Sequence, residues 1–183
     1  MLRGPVSRRG FIALSAGVAS FVSATPVFAS PKSANRRSLF FYNLHSHEKL
    51  KVSYWEDGAY VPSAMQEIAH VLRDRRSGDV HAIDPKLLDT LFHLRRALVK
   101  DDVPTEIISG YRSPDSNSSM RAGGNRGVAK KSFHMLGMAM DMNLPGVELR
   151  QIRNQAVALK AGGVGYYPRS GFVHLDSGTP RAW

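Results

Sequence analysis

The chain has 183 residues, 43% of them apolar, enough for one domain with a real core and not comfortably for two. That composition excludes disordered and fibrous classes, and the absence of cysteine excludes disulfides, thiolate metal sites, cysteine nucleophiles and a lipidated cysteine anchor. Lysine and arginine exceed the acids by ten, a balance that suits nucleic acid, an anionic envelope surface or an acidic substrate.

Residues 1–29 read as an export signal. Ser7-Arg8-Arg9-Gly10-Phe11-Ile12 resembles the twin-arginine signature, a mild apolar run extends from Phe11 to Ala24, and Val27-Phe28-Ala29 is a small-x-small cleavage site. The run is shorter than the roughly 18 residues a spanning helix needs, so no membrane span is expected after cleavage. Removing Arg3, Arg8 and Arg9 takes the formal charge from +10 to +7. The expected location is the periplasm, reached by the twin-arginine route. In that setting nucleic acid is not an expected partner and the cell wall is. Residues 30–37 read as a flexible lead-in, and residues 38–183 as a single, monomeric domain.

Leu39–Leu44 and Leu50–Trp55 are β-branched and aromatic runs around His45-Ser46-His47-Glu48, the pattern of a hairpin. Ser63-Ala64-Met65-Gln66 has capping-box spacing, and predicts a helix running to about Arg76 with Met65, Ile68, Ala69, Val71 and Leu72 inward. Asp84-Pro85 opens a second helix, whose Leu87, Leu88, Leu91, Phe92, Leu94, Leu98 and Val99 form a broad apolar face. Thr105–Ser109 is a short buried strand followed by the turn Gly110-Tyr111-Arg112-Ser113-Pro114. Asp115–Arg126 reads as a loop with some helix. Gly137–Leu144 is a central strand, Val147–Leu159 a helix capped by Gly162-Gly163, and Val164–Tyr167 and Gly171–Leu175 the last two strands. The expected fold is α+β, a small mostly antiparallel sheet with helices packed on one side.

Two strands carry the chemistry. Along the central strand Gly137, Ala139 and Asp141 share one face, while Met138, Met140 and Met142 share the other. The methionine face suits a core; the other face is a cleared floor ending in a carboxylate. His134, in the loop before it, can fold back over that floor. On the last strand Val173 and Leu175 face the core, while Phe172, His174 and Asp176 face away. Two imidazoles and one carboxylate make a three-ligand set of the kind that leaves a fourth zinc position open. Each of these residues alone also suits an ordinary hydrogen-bonded structural role.

Ser132-x-His134-x-x-Gly137-x-Ala139-x-Asp141 resembles the motif of the zinc D-Ala-D-Ala carboxypeptidase family, which includes vancomycin-resistance dipeptidases, phage endolysins and the hedgehog signalling domain. Ser109-Gly110-Tyr111-Arg112-Ser113 resembles its arginine-bearing turn, and Val173-His174-Leu175-Asp176 its final ligand segment. Gly127–Ser132, Gly162–Ser170 and the signal are similar to a twin-arginine-exported murein endopeptidase subgroup. The resemblance implies Zn2+ held by His134, Asp141 and His174, and hydrolysis of peptide cross-links in peptidoglycan, between two diaminopimelate residues or between D-Ala and diaminopimelate. It leaves open a D-alanyl carboxypeptidase, or a zinc-bearing wall-binding module without turnover.

Arg112, fixed at a strand end, would stabilise an oxyanion or hold a substrate carboxylate. The general base is where the chain departs from the family pattern. Relatives place an acid three residues before the last histidine or a histidine two before it; here those positions are Gly171 and Phe172. Asp176 is the remaining candidate, as base or as partner of His174. Tyr166 or Tyr167 could contact substrate. His45 and His47 read as exposed turn residues, His70, His81 and His93 as helix or loop residues, and the basic residues of Arg121–Lys131 as the border of the site.

Overall fold

The structure is a computed structural model that describes Met1 and residues 35–99, 101–124 and 128–183. The expected signal at residues 1–29 and most of the lead-in lie outside the described residues. The first strand, β1 (Arg36–Asn43), begins two residues inside that lead-in. It pairs antiparallel with β2 (Lys49–Glu56), as the hairpin pattern predicts, and the two-residue β3 (Ala59–Tyr60) pairs on the outside of β2.

Helix α1 (Pro62–Val71) starts without the expected capping box. Val61 is the N-cap and makes no side-chain cap bond; Pro62 supplies the preset φ instead. The helix stops well before Arg76, because the chain there is bent around Asp74. That buried carboxylate accepts the backbone N–H of Arg76 at 2.8 Å and of Ser113 at 2.8 Å. Helix α2 (Pro85–Leu98) is capped as expected, with Asp84 accepting from the Lys86 N–H at 3.0 Å.

β4 (Thr105–Ser109) follows. Pro114–Ala122 is a regular helix, α3, rather than a loop with some helix, and Ser113 caps it by accepting from the Ser116 N–H at 3.2 Å. A short 3-10 turn (Phe133–Leu136) leads into β5 (Ala139–Asn143). Helix α4 (Leu149–Leu159) ends on Lys160 in the left-handed region at φ 51°, so Gly162-Gly163 is not its cap. The chain finishes with β6 (Gly163–Tyr167), β7 (Phe172–Asp176) and the two-residue β8 (Arg181–Ala182).

The eight strands form one sheet in the order β3-β2-β1-β4-β5-β7-β6-β8. The sheet is mixed rather than mostly antiparallel, because β1 runs parallel to β4 and β6 to β8. After β6 the chain reverses through β7 and β8 lands on the far side of β6, whereas β4 reaches the far side of β1 only after β2, β3, α1 and α2. The α+β class stands. One core joins Leu39, Phe41, Ile107, Met140, Met142, Val173 and Leu175 of the sheet to Ile68 of α1, Leu87, Leu88, Leu91 and Leu94 of α2, and Ile152 of α4. Among the described residues no helix is long and apolar enough to cross a membrane.

At one end of the core Asp89 of α2 accepts hydrogen bonds from Arg37 at 2.6 Å, Tyr54 at 2.8 Å and Tyr60 at 2.8 Å. Burial disfavours its charge, but these donors outweigh burial and lower its pKa below the ordinary carboxylate value. The stabilisation is therefore full above the unfolded-chain pKa of about 4 and is lost as pH falls below it. Urea unfolding between pH 6 and pH 3 should cost the Asp89→Asn variant less stability than the parent. Equal losses would remove Asp89 as a source of acid sensitivity.

Candidate metal centre

Strand register assembles the site. Ser109 of β4 lies opposite Asp141 of β5, Asp141 opposite His174 of β7, and His174 opposite Gly165 of β6. These four residues form one row on the sheet face away from the methionine core. Met142 and Val173, one residue along, form the equivalent row on the core side. The strand alternation predicted from sequence holds for β5 and β7.

His134 comes from the 3-10 turn. The Ser132 hydroxyl accepts the His134 N–H at 3.4 Å, and the Arg112 N–H donates to the His134 carbonyl at 3.1 Å. Gly137 ends the turn at φ 65°, so it lies outside β5 and is not part of the cleared floor expected for it. Its glycine identity has another cause: a Cβ there would collide with the Ala82 carbonyl oxygen, in a backbone region side chains rarely adopt.

The ligand atoms of His134, Asp141 and His174 all lie within 4.8 Å of one another. His134 Nε2 is 3.4 Å from Asp141 Oδ1, and His174 Nδ1 is 2.9 Å from the same oxygen. Ligands of a tetrahedral ion with bonds of about 2.0–2.1 Å stand roughly 3.4 Å apart, so the three fit one metal ion. Among the described residues no other such group occurs. The second nitrogens set the tautomers. His134 Nδ1 donates to the Gly110 carbonyl at 2.7 Å, which leaves Nε2 with its lone pair toward Asp141.

His174 Nε2 is 3.2 Å from Asp176 Oδ2. The Asp176 side chain is 0% exposed, and both of its oxygens are engaged. Oδ1 accepts from the Gly163 and Gly178 N–H groups at 3.1 and 2.9 Å, and Arg181 reaches Oδ2 at 2.6 Å. Burial opposes charge on both carboxylates. The imidazoles around Asp141, and His174 with Arg181 around Asp176, nonetheless lower both pKa values. Burial likewise opposes charging His174, but its bonds to Asp141 and Asp176 raise its pKa.

Arg112 is 8% exposed, with a guanidinium nitrogen 4.0 Å from Asp141 Oδ2. Its side-chain partners are Asn117 and Ser109, both at 3.4 Å, so most of its five N–H groups are uncommitted. A cleft of about 470 Å³ lies over the ligand row. Arg112, Phe172, Tyr167, Lys131, Trp183 and Arg181 line it.

Residues 31–183 match the family described as peptidoglycan L,D-endopeptidase MepK. The chain belongs to that family. The peptidoglycan L,D-endopeptidases MepK of Escherichia coli strain K12 and Shigella flexneri are each 42% identical over 179 residues, covering 97% of both chains. A Haemophilus influenzae relative is 35% identical over 179 residues, covering 97% of this chain and 95% of its own. The family is one of hydrolases that act through a metal, and the His-Asp-His group meets that need.

Of the residues singled out from sequence in this family member, His134, Asp141, His174, Arg112 and Asp176 are brought together. Tyr167 and Lys131 line the cleft, whereas Arg121 and Lys130 do not. Gly171 turns the β6–β7 hairpin at φ 73°, and Phe172 stacks on Tyr167 with ring centres 4.7 Å apart, so neither supplies a base. His45 and His47 are not assembled as ligands: His45 bonds to the Ile108 carbonyl at the cleft edge and His47 to Tyr42. Sequence reading missed Arg75, Arg76, Arg181 and Trp183 in the cleft. Only the run Arg73-Asp74-Arg75-Arg76 carried a signal, as a charge cluster.

The Asp176–His174 hydrogen bond fixes the ring of a candidate ligand. Asp176→Asn, which keeps its shape, should weaken metal affinity about 10- to 100-fold. Competition with a chromophoric chelator measures this, and unchanged affinity in a folded variant would limit Asp176 to packing.

Proposed function

We propose that this chain cleaves the peptide cross-links of peptidoglycan as a zinc endopeptidase of the periplasm. The observation that carries the reading is the His134–Asp141–His174 group at the floor of an open cleft, in a chain that shares 42% identity over nearly its full length with peptidoglycan L,D-endopeptidases. Two imidazole nitrogens and one carboxylate oxygen favour zinc over the oxygen-preferring magnesium and calcium. The twin-arginine-like signal supports export of a folded, metal-loaded protein. The bonds favoured as substrates are diaminopimelate to diaminopimelate, and D-Ala to diaminopimelate.

A bound zinc ion with an open position lowers the pKa of a water and polarises a carbonyl oxygen. The protein's own groups do the remaining work. Gly110 and Asp176 orient the two imidazoles through their outer nitrogens. Arg112 offers its uncommitted N–H groups to the carbonyl oxygen as that oxygen gains negative charge. Phe172 and Trp183 wall the cleft with aromatic surface. Asp176 acts through His174 rather than as a base, since its carboxylate is closed to solvent and fully engaged.

Defined cross-linked muropeptide dimers test the reading. The zinc-loaded protein should turn dimers into monomers, and chelated protein or the folded His134→Ala variant should not. Trimming of terminal D-alanine alone would make it a carboxypeptidase, and binding to sacculi without products a wall-binding module. Arg112→Ala should lower kcat about 10²- to 10³-fold while zinc content stays at the parent level. A variant with full kcat would remove Arg112 from the reaction.

A further inference from the structure

The cleft is asymmetric in charge. At the aromatic end Arg181 is spent on Asp176 and lies over the Trp183 ring at 4.9 Å. At the other end Arg75 and Arg76 line the cleft beside Arg112 and Ser109, and both are exposed. Arg73, two residues earlier, is paired with Glu48 at 2.7 Å. Arg75 and Arg76 have no salt-bridge partner among the described residues.

These two arginines do not sit on a loose loop. Asp74 is 2% exposed, and its carboxylate accepts the Arg76 N–H and the Ser113 N–H at 2.8 Å each. Its carbonyl accepts the Gly78 N–H at 2.8 Å. The Tyr111 N–H donates to the Leu72 carbonyl at 2.7 Å. Backbone bonds thus tie the segment that bears Arg75 and Arg76 to the turn that bears Arg112. A buried carboxylate is costly, and here its charge is spent on positioning cationic residues at one wall of the cleft. Arg75 and Arg76 lie close enough to Arg112 to oppose its charge, and an anion arriving among them relieves that repulsion.

Resting on the endopeptidase reading above, we propose that Arg75 and Arg76 form a carboxylate-binding subsite that selects cross-links bearing a free carboxylate beside the scissile bond. Diaminopimelate carries such a group where a neutral diamino acid or a carboxamide does not. The two arginines bind substrate before and during the reaction, so their contribution falls on KM rather than on kcat.

The test compares two cross-linked dimers, one with free diaminopimelate carboxylates and one with those carboxylates converted to carboxamides. Each is cleaved by the zinc-loaded parent and by the Arg75→Gln, Arg76→Gln and double variants. On the acid dimer the double variant should raise KM about tenfold with kcat within about twofold. The parent should show a similar KM penalty on the amide dimer, and the variants should add little to it. If the parent cleaves both dimers equally, or the variants lose equally on both, the subsite is overturned while the endopeptidase reading stands. If the parent cleaves neither dimer, that reading falls and the subsite with it.

Discussion

The structure depends on the register of three antiparallel pairings, β4 with β5, β5 with β7 and β7 with β6. That register places Ser109, Asp141, His174 and Gly165 in one row. Because side chains alternate along a strand, a slip of one residue would turn Asp141 and His174 into the core and bring Met142 and Val173 out. The fully buried Met140, Met142, Val173 and Leu175 oppose such a slip. The placing of Asp141 beside His174 is thus enforced by hydrophobic burial on the opposite face of the same strands. His134 is the exception. It is held by hydrogen bonds to Gly110 and Arg112 rather than by a ladder.

The small residues on the ligand face serve the chain itself. A Cβ at Gly163 would collide with Asp176 and Arg181, and one at Gly165 would lie 2.8 Å from the Trp183 ring. Ala139 is opposite Asp176 in the same register. The floor is cleared so that β8 can return along β6 and place Arg181 and Trp183 over it. Arg181 then neutralises Asp176, and Trp183 stands with its ring centre 5.4 Å from that of His174. The last strand builds one wall of the cleft and, through Asp176, supports His174 in the same stroke.

Charge is arranged by use. Asp89, Asp74 and Asp176 each accept several donors, which keeps them ionised despite burial. Asp89 ties the β1–β2 hairpin to α2, Asp74 ties the Arg75–Arg76 segment to the Arg112 turn, and Asp176 holds His174. Arg75 and Arg76, without a salt-bridge partner among the described residues, line the cleft beside Arg112, where an acidic peptide would meet them.

The sequence by itself determined the α+β class, the order of the elements apart from β3, α3 and β8, the capped start of α2, and the candidacy of His134, Asp141, His174 and Arg112 for one site. These are legible because alternation and cap chemistry are local, because Asp141 and His174 lie on two short strands with readable polar faces, and because the motif around His134 resembles a known family's. Tertiary structure decided the rest. Capping by Ser63 gave way to Pro62 and to the pull of Asp74 on the following turn. Gly137 left the strand because its contact is with Ala82, more than 50 residues earlier in sequence. The parallel pairs β1–β4 and β6–β8 follow from where a crossover lands, which no local pattern encodes. Asp176 was visible as a neighbour of His174, but its role turned on Gly163, Gly178 and Arg181 closing around it. The convergence of Arg75 and Arg76 on Arg112 needed the buried Asp74 to join two segments more than 30 residues apart, and only packing could reveal that.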